Sequence, residues 1–189
     1  MHIVILGHSY VRDLRDFSAR VGGNRVRGWT IDYCCKPGAS YDTYVKNPEL
    51  LERALVRNPD ILVVILGGNS ISNDRTNTQV LNSCLSFYTL LRSKYQGIVV
   101  SSQVELRFYK PNNKFAAPQS DIFKRRRNRV NKFLYKSNFN DAVLMIAGPG
   151  RLDNRKYYRD SVHLNERGLG LYSHFLHETV EYCLFKFFY

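Results

Sequence analysis

Four short segments, far apart in this chain, hold side chains that can act together on an acyl group. Gly7-His8-Ser9 offers a hydroxyl at a sharp turn, and Pro37-Gly38-Ala39-Ser40 a bare backbone amide. Gly67-Gly68-Asn69-Ser70 adds a side-chain carboxamide, and Asp160-Ser161-Val162-His163 an imidazole with a carboxylate three residues before it. In acyl transfer a serine oxygen attacks the carbonyl and an imidazole takes its proton. A carboxylate holds the other ring nitrogen in the donating tautomer, and fixed N–H groups receive the charge that develops on oxygen. The corresponding roles fall on Ser9 as nucleophile, His163 as base and Asp160 as its partner. The Ser9 amide, the Gly38 amide and the Asn69 side chain are the candidate oxyanion donors.

Each segment also has a plainer reading. Ser9 can be an ordinary helix cap, Asn69 a turn residue, and Gly38 a loop glycine. Asp160 and His163 can be a surface pair ahead of a helix that starts near Asn165. Only the four together, in this order, favour chemistry. His8 is a less fitting base than His163, because adjacent side chains on a turn diverge. It is a candidate polar support, substrate contact or loop anchor, and Ser70 is a similar candidate support beside Asn69. His2, His174 and His177 lack ligand spacing with acidic or cysteine partners, so no metal site is expected.

The elements that must carry these groups alternate between strand and helix. Ile3-Val4-Ile5-Leu6 is an apolar run closed by Gly7, followed by helical spacing through Val11, Leu14 and Phe17. Arg25 to Tyr33 is β-rich, and Asn47-Pro48 opens a helix with proline at its first position. Ile61 to Leu66 is unbroken by polar residues, the mark of a strand covered on both faces. Helix is expected from about Thr78 to Tyr95, with Leu81, Leu85, Tyr88 and Leu91 inward. Ile98-Val99-Val100 is the next strand, and a polar loop runs from about Arg107 to Gln119. A helix then reaches about Lys136, Ala142 to Ile146 is the last strand, and a helix from Asn165 to about Phe187 closes the chain. Five βα units predict a three-layer α/β/α sandwich with right-handed crossovers, one domain over residues 1–189. Ligands of such sheets bind beyond the carboxyl ends of the strands, where the serine, glycine and asparagine segments all lie.

The composition agrees. An apolar fraction of 44% with 13% aromatics suits a folded globule,. No apolar run approaches the roughly 20 residues that cross a bilayer. The sequence starts without a basic n-region or cleavage site, so the expectation is an intracellular chain or one whose leader lies outside this sequence. Cys34, Cys35, Cys84 and Cys183 show no metal-type spacing and read as reduced thiols. The net charge of +12 favours polyanionic partners (nucleic acid, an anionic lipid surface or acidic glycans), with a basic but inert surface as the alternative expectation,. Lys124-Arg125-Arg126-Arg127, extended by Arg129 and Lys132, is either the solvated face of its helix or such a footprint. Arg151, Arg155, Lys156 and Arg159 can join it, and Tyr157 and Tyr158 can pack or bind a sugar ring or acyl chain.

In order and spacing the four segments resemble the blocks of the SGNH (GDSL-like) hydrolase family, from Ile3 to about Phe175. The resemblance implies a flavodoxin-like sandwich with five parallel strands, Ser9 as nucleophile, Gly38 and Asn69 as oxyanion donors, and Asp160 and His163 as the remaining catalytic pair. It also implies a short-chain acyl ester as substrate, acetyl above all, and no metal or organic cofactor. Two positions depart from the family pattern. G-D-S is here G-H-S, which resembles the esterase-type domains of some retroelement-encoded proteins, and G-x-N-D ends here in Ser70. Because of these departures a weak or inactive module of the same fold, binding nucleic acid or anionic lipid through its basic surface, is the competing expectation.

Overall fold

The computed structural model describes residues 1–22, 25–26, 28–72, 74–105, 107–108, 120–136, 143–146, 152 and 154–188. Most of the expected polar loop (109–119), the start of the last expected strand at Ala142, and Arg151 lie outside them. The elements in chain order are β1 (His2–Gly7), α1 (Ser9–Val21), β2 (Arg25–Val26), β3 (Trp29–Cys35), α2 (Tyr41–Lys46), α3 (Pro48–Leu55) and β4 (Ile61–Ile65). They continue with α4 (Asn77–Lys94), β5 (Ile98–Ser102), α5 (Ser120–Lys136), β6 (Val143–Ile146) and α6 (Glu166–Phe188).

The sheet order is β2-β3-β1-β4-β5-β6. All neighbours are parallel except β2, which pairs antiparallel with β3 through Arg25–Thr30 and Val26–Trp29. The five expected parallel strands are therefore present, and a two-residue edge strand is added. The stretch read as one strand from Arg25 reverses at Gly28 and becomes a small hairpin.

Side chains alternate across the sheet with the two-residue period of a strand. Val4, Leu6, Leu62, Val64 and Val99 face a layer formed by α2, α3, α4 and α5. Ile3, Ile5, Ile61, Val63, Ile65 and Val100 face α1 and α6. The five residues of β4 are all essentially fully buried; burying an aliphatic side chain of this size contributes about 1.5–3 kcal/mol. That is why β4 reads as a continuous apolar run rather than an alternating one.

One helix face differs from the expectation. On α4 the buried stripe is Val80, Cys84, Phe87, Tyr88 and Leu91, whereas Leu81 is half-buried and Leu85 is 46% exposed. The cause is α2, which spacing did not reveal. Its Tyr41 and Tyr44 rings lie 5.6 and 5.8 Å from Phe87 and draw that face of α4 inward. Only six residues long, α2 depends on a reciprocal cap between Ser40 and Thr43,.

Candidate active site

β1 sits between β3 and β4, so successive connections leave it in opposite directions. A crevice opens beyond the carboxyl ends of strands at such a switch point. The first three sequence segments follow β1, β3 and β4 in turn, and all three reach it.

At the end of β1 the chain passes directly into α1. His8 is the capping residue, its Nδ1 accepting the Tyr10 amide at 3.3 Å, and Ser9 is the first helical residue. The cap predicted for Ser9 is thus supplied one residue earlier. The amides of a helix's first turn have no partner inside it and carry the positive end of its dipole. The Ser9 hydroxyl and its own N–H therefore share a place suited to a developing anion.

Lys36-Pro37-Gly38-Ala39 forms a turn closed by the Ala39 amide on the Lys36 carbonyl at 3.0 Å. Proline precedes Gly38, whose φ is +76°, a conformation that favours glycine,. The Gly38 amide takes no part in the turn's own hydrogen bond, and Gly38 lines the cleft. Asn69 lies in a short 3-10 turn, Gly68–Ser70, and donates one side-chain N–H to the Ala39 carbonyl at 3.0 Å. That bond fixes the carboxamide and leaves its second N–H for a ligand. The fully buried Ser70 hydroxyl accepts the Tyr41 amide at 3.1 Å. Ser70 therefore ties the segment after β4 to the start of α2.

Asp160 and His163 share one loop. The imidazole Nδ1 lies 2.9 Å from Asp160 Oδ2, and Asp160 Oδ1 accepts the amides of Val162 and His163, each at 2.7 Å. Burial raises the Asp160 carboxyl, but these amide and imidazole bonds outweigh it and hold the group below the usual carboxylate range,. The loop is fastened to α1. Tyr10 Oη donates to the Val162 carbonyl, and Arg159 Nη2 meets the buried Asp13 carboxylate at 3.0 Å. The Phe108 amide adds a bond to the Ser161 carbonyl at 2.8 Å. Arg159, read as part of a basic surface, is thus an anchor. Tyr158 is buried with its ring 5.0 Å from Phe108, so it packs and does not line a binding surface.

Ser9, Gly38, Asn69 and His163 line one cleft of about 410 Å³, together with Arg12 and Arg107. Sequence reasoning missed both arginines. Arg12 had a usable signal, being one helical turn beyond Ser9 and hence on the same face. Arg107 had none, because only the fold brings a loop residue back to β4. It is 4% exposed, its guanidinium 5.8 Å from the Phe123 ring. Gly68 makes the room: a Cβ there would fall 2.4 Å from Arg107 Nη2.

His8 is 4% exposed, and burial, then Arg107 and His163, push its imidazole well below the ordinary histidine range. With Nδ1 accepting the Tyr10 amide, the neutral ring carries its proton on Nε2, so His8 acts as a cap and not as a base for Ser9. Well above pH 6.5 the ring is uncharged folded or unfolded and contributes no pH dependence. Below about pH 6.5 the unfolded chain takes up a proton that the folded chain refuses, costing up to about 1.4 kcal/mol per pH unit. His8→Asn keeps an acceptor at the same position and removes the titration. Denaturant midpoints at pH 6.5 and 5 should show the wild type losing up to about 2 kcal/mol more than this variant. Equal losses would assign the acid sensitivity elsewhere.

The basic run on α5 is only partly a surface. Lys124 and Arg125 are exposed, but Arg126 donates to the Ser72 carbonyl and Arg127 Nε to the Val104 carbonyl at 2.7 Å. Two of its four cations therefore hold α5 against the segments after β4 and β5. On α6 His174 pairs with Glu178 at 3.3 Å. The four cysteines are free thiols. Among the described residues no group of three potential ligands could hold a metal, and no helix is long and apolar enough to cross a membrane.

No protein-family model matches the chain, and neither does any curated protein sequence. Solved structures do match it. The lipase/acylhydrolase from Enterococcus faecalis aligns with a TM-score of 0.68 at 16% identity, covering 95% of each chain. A GDSL-like lipase from Bacteroides thetaiotaomicron gives 0.69 at 13%, over 97% of this chain and 89% of that one. The acetyl xylan esterase AlAXEase gives 0.66 at 15%, over 95% and 100%. At these identities the likeness is one of fold: a three-layer α/β/α domain of the kind found in GDSL-like lipases and esterases.

Proposed function

We propose that the protein is a serine ester hydrolase of the SGNH type, acting on short acyl esters. The observation that carries this reading is the meeting of Ser9, Gly38, Asn69 and His163 on one cleft, with Asp160 bonded to the imidazole. Ser9 Oγ attacks the ester carbonyl while His163 Nε2 takes its proton, and Asp160 keeps the proton of the far nitrogen in place. The oxyanion is received by the Ser9 and Gly38 amides and the Asn69 carboxamide. As the tetrahedral species collapses, the imidazolium protonates the departing alcohol and an acyl-Ser9 remains. Water then enters with His163 again as base, and the carboxylic acid leaves. The preference for acetyl is supported by the acetyl xylan esterase among the structures sharing the fold. The α5 run does not favour a polyanion-binding module over this reading, since half of it is engaged with backbone carbonyls.

Hydrolysis of a graded series of p-nitrophenyl acyl esters tests the proposal. The rate should be highest for the shortest chains, and a flat response at the level of a Ser9→Ala control would defeat it. Within this scheme Asn69→Ala should lower kcat roughly 10²–10³-fold with little change in KM, because the donor acts on the charged intermediate more than on the bound ester. A loss of less than about threefold would remove Asn69 from the oxyanion site.

A further inference from the structure

We propose that a second cleft, adjoining the first, binds a phosphate group. We further infer that the ester taken at Ser9 carries this group on its alcohol portion, a step that rests on the esterase reading above. The cleft encloses about 230 Å³ between α1, the end of β3 and α3. Arg15, Lys36, Arg53 and Arg57 line it, and among the described residues no carboxylate does. Arg57 is paired with Asp32 at 2.6 Å and Arg15 with Asp16 at 2.9 Å, both outside the lining. Lys36 and Arg53 have no ion partner among the described residues. The cleft therefore keeps two uncompensated positive charges in a concave wall, where the field of like charges is concentrated. Arginine forks and a lysine ammonium are the groups that hold phosphate oxygens. The size fits one phosphate with part of what bears it, rather than a flat polymer or membrane face.

The two linings share no residue but follow directly on one another along the chain. Lys36 lines the second and its neighbours Pro37 and Gly38 the first, while Arg12 and Arg15 stand one turn apart on α1. An acyl group held at Ser9 thus leaves its alcohol portion free to extend past Gly38 toward Lys36.

The test compares the wild type with the Lys36→Gln/Arg53→Gln double variant, whose altered side chains are exposed and belong to none of the catalytic groups. Calorimetric titration with inorganic pyrophosphate should show binding that weakens about tenfold or more in the variant. KM for the acetate ester of glycerol 3-phosphate should rise by about the same factor, with hydrolysis of neutral p-nitrophenyl acetate unchanged. Sedimentation with phosphatidic acid vesicles, against phosphatidylcholine alone, identifies the source. Vesicle binding lost in the variant assigns a lipid headgroup, and pyrophosphate binding without it assigns a soluble phosphate ester. Equal pyrophosphate affinity in both proteins, or none in either, overturns the phosphate site. An unchanged KM for the phosphorylated ester overturns its link to Ser9. If p-nitrophenyl acetate is not cleaved in a Ser9-dependent way, the esterase reading fails and the pyrophosphate titration still decides the second cleft.

Discussion

Ser9→Ala should leave a folded protein whose hydrolysis of p-nitrophenyl acetate is lower by roughly 10⁴–10⁶-fold. Ser9 is the first residue of α1, and among the described residues its hydroxyl supplies neither the cap, which His8 provides, nor a tie to a neighbouring element. Alanine has the highest helix propensity, so the thermal midpoint should stay close to that of the wild type. The variant keeps the backbone amide at this position, the Gly38 amide and Asn69, so the residual rate measures what these donors achieve without a nucleophile. A fluorophosphonate probe should label the wild type and not the variant. Labelling that persists, or a rate within about tenfold of the wild type, would place the nucleophile at another residue.

Asp160→Asn should cost roughly 10³–10⁴-fold in kcat, and the reason is a tautomer rather than a lost charge alone. In the native loop one carboxylate oxygen accepts two backbone amides and the other faces the imidazole. An asparagine can keep its oxygen on the amides and so preserve the loop. Its NH₂ group then faces Nδ1, which must become an acceptor. The proton moves to Nε2, where it blocks uptake of the serine proton. Asp160→Ala additionally frees the two amides, so its melting temperature should fall where that of Asp160→Asn does not. Equal activity of wild type and Asp160→Asn would show that the 2.9 Å contact only shapes the loop.

Much of this site was legible because its parts follow strands. An apolar run that stops at glycine, as at Gly7 and Gly67, marks both a strand end and a turn, and the turn is where a functional group can face outward. The D-x-x-H spacing similarly fixed a local pair. What stayed hidden depends on partners distant in sequence. Histidine is not a favoured cap, so His8 gave no sign that it would close α1. Arg107 belongs to a polar stretch without periodicity, and its place beside Gly68 exists only in the folded chain. Helix α2 escaped because six residues cannot show a helical period, and with it went the inward turn of Phe87. The α5 charges looked alike in sequence; the carbonyls of Ser72 and Val104 distinguish Arg126 and Arg127 from Lys124 and Arg125.

The direction of two elements has a practical outcome. β1 runs from His2 to the cleft, a path of roughly 20 Å. α6 starts beside the His163 loop, passes Tyr10 at Tyr172, and reaches Ile3 with Leu176 and Val180, extending about 35 Å in all,. Both ends of the described chain therefore emerge on the rim opposite Ser9. Immobilised on a sensor chip or fused to a carrier through either of these ends, the molecule would present the Ser9 cleft away from the attachment.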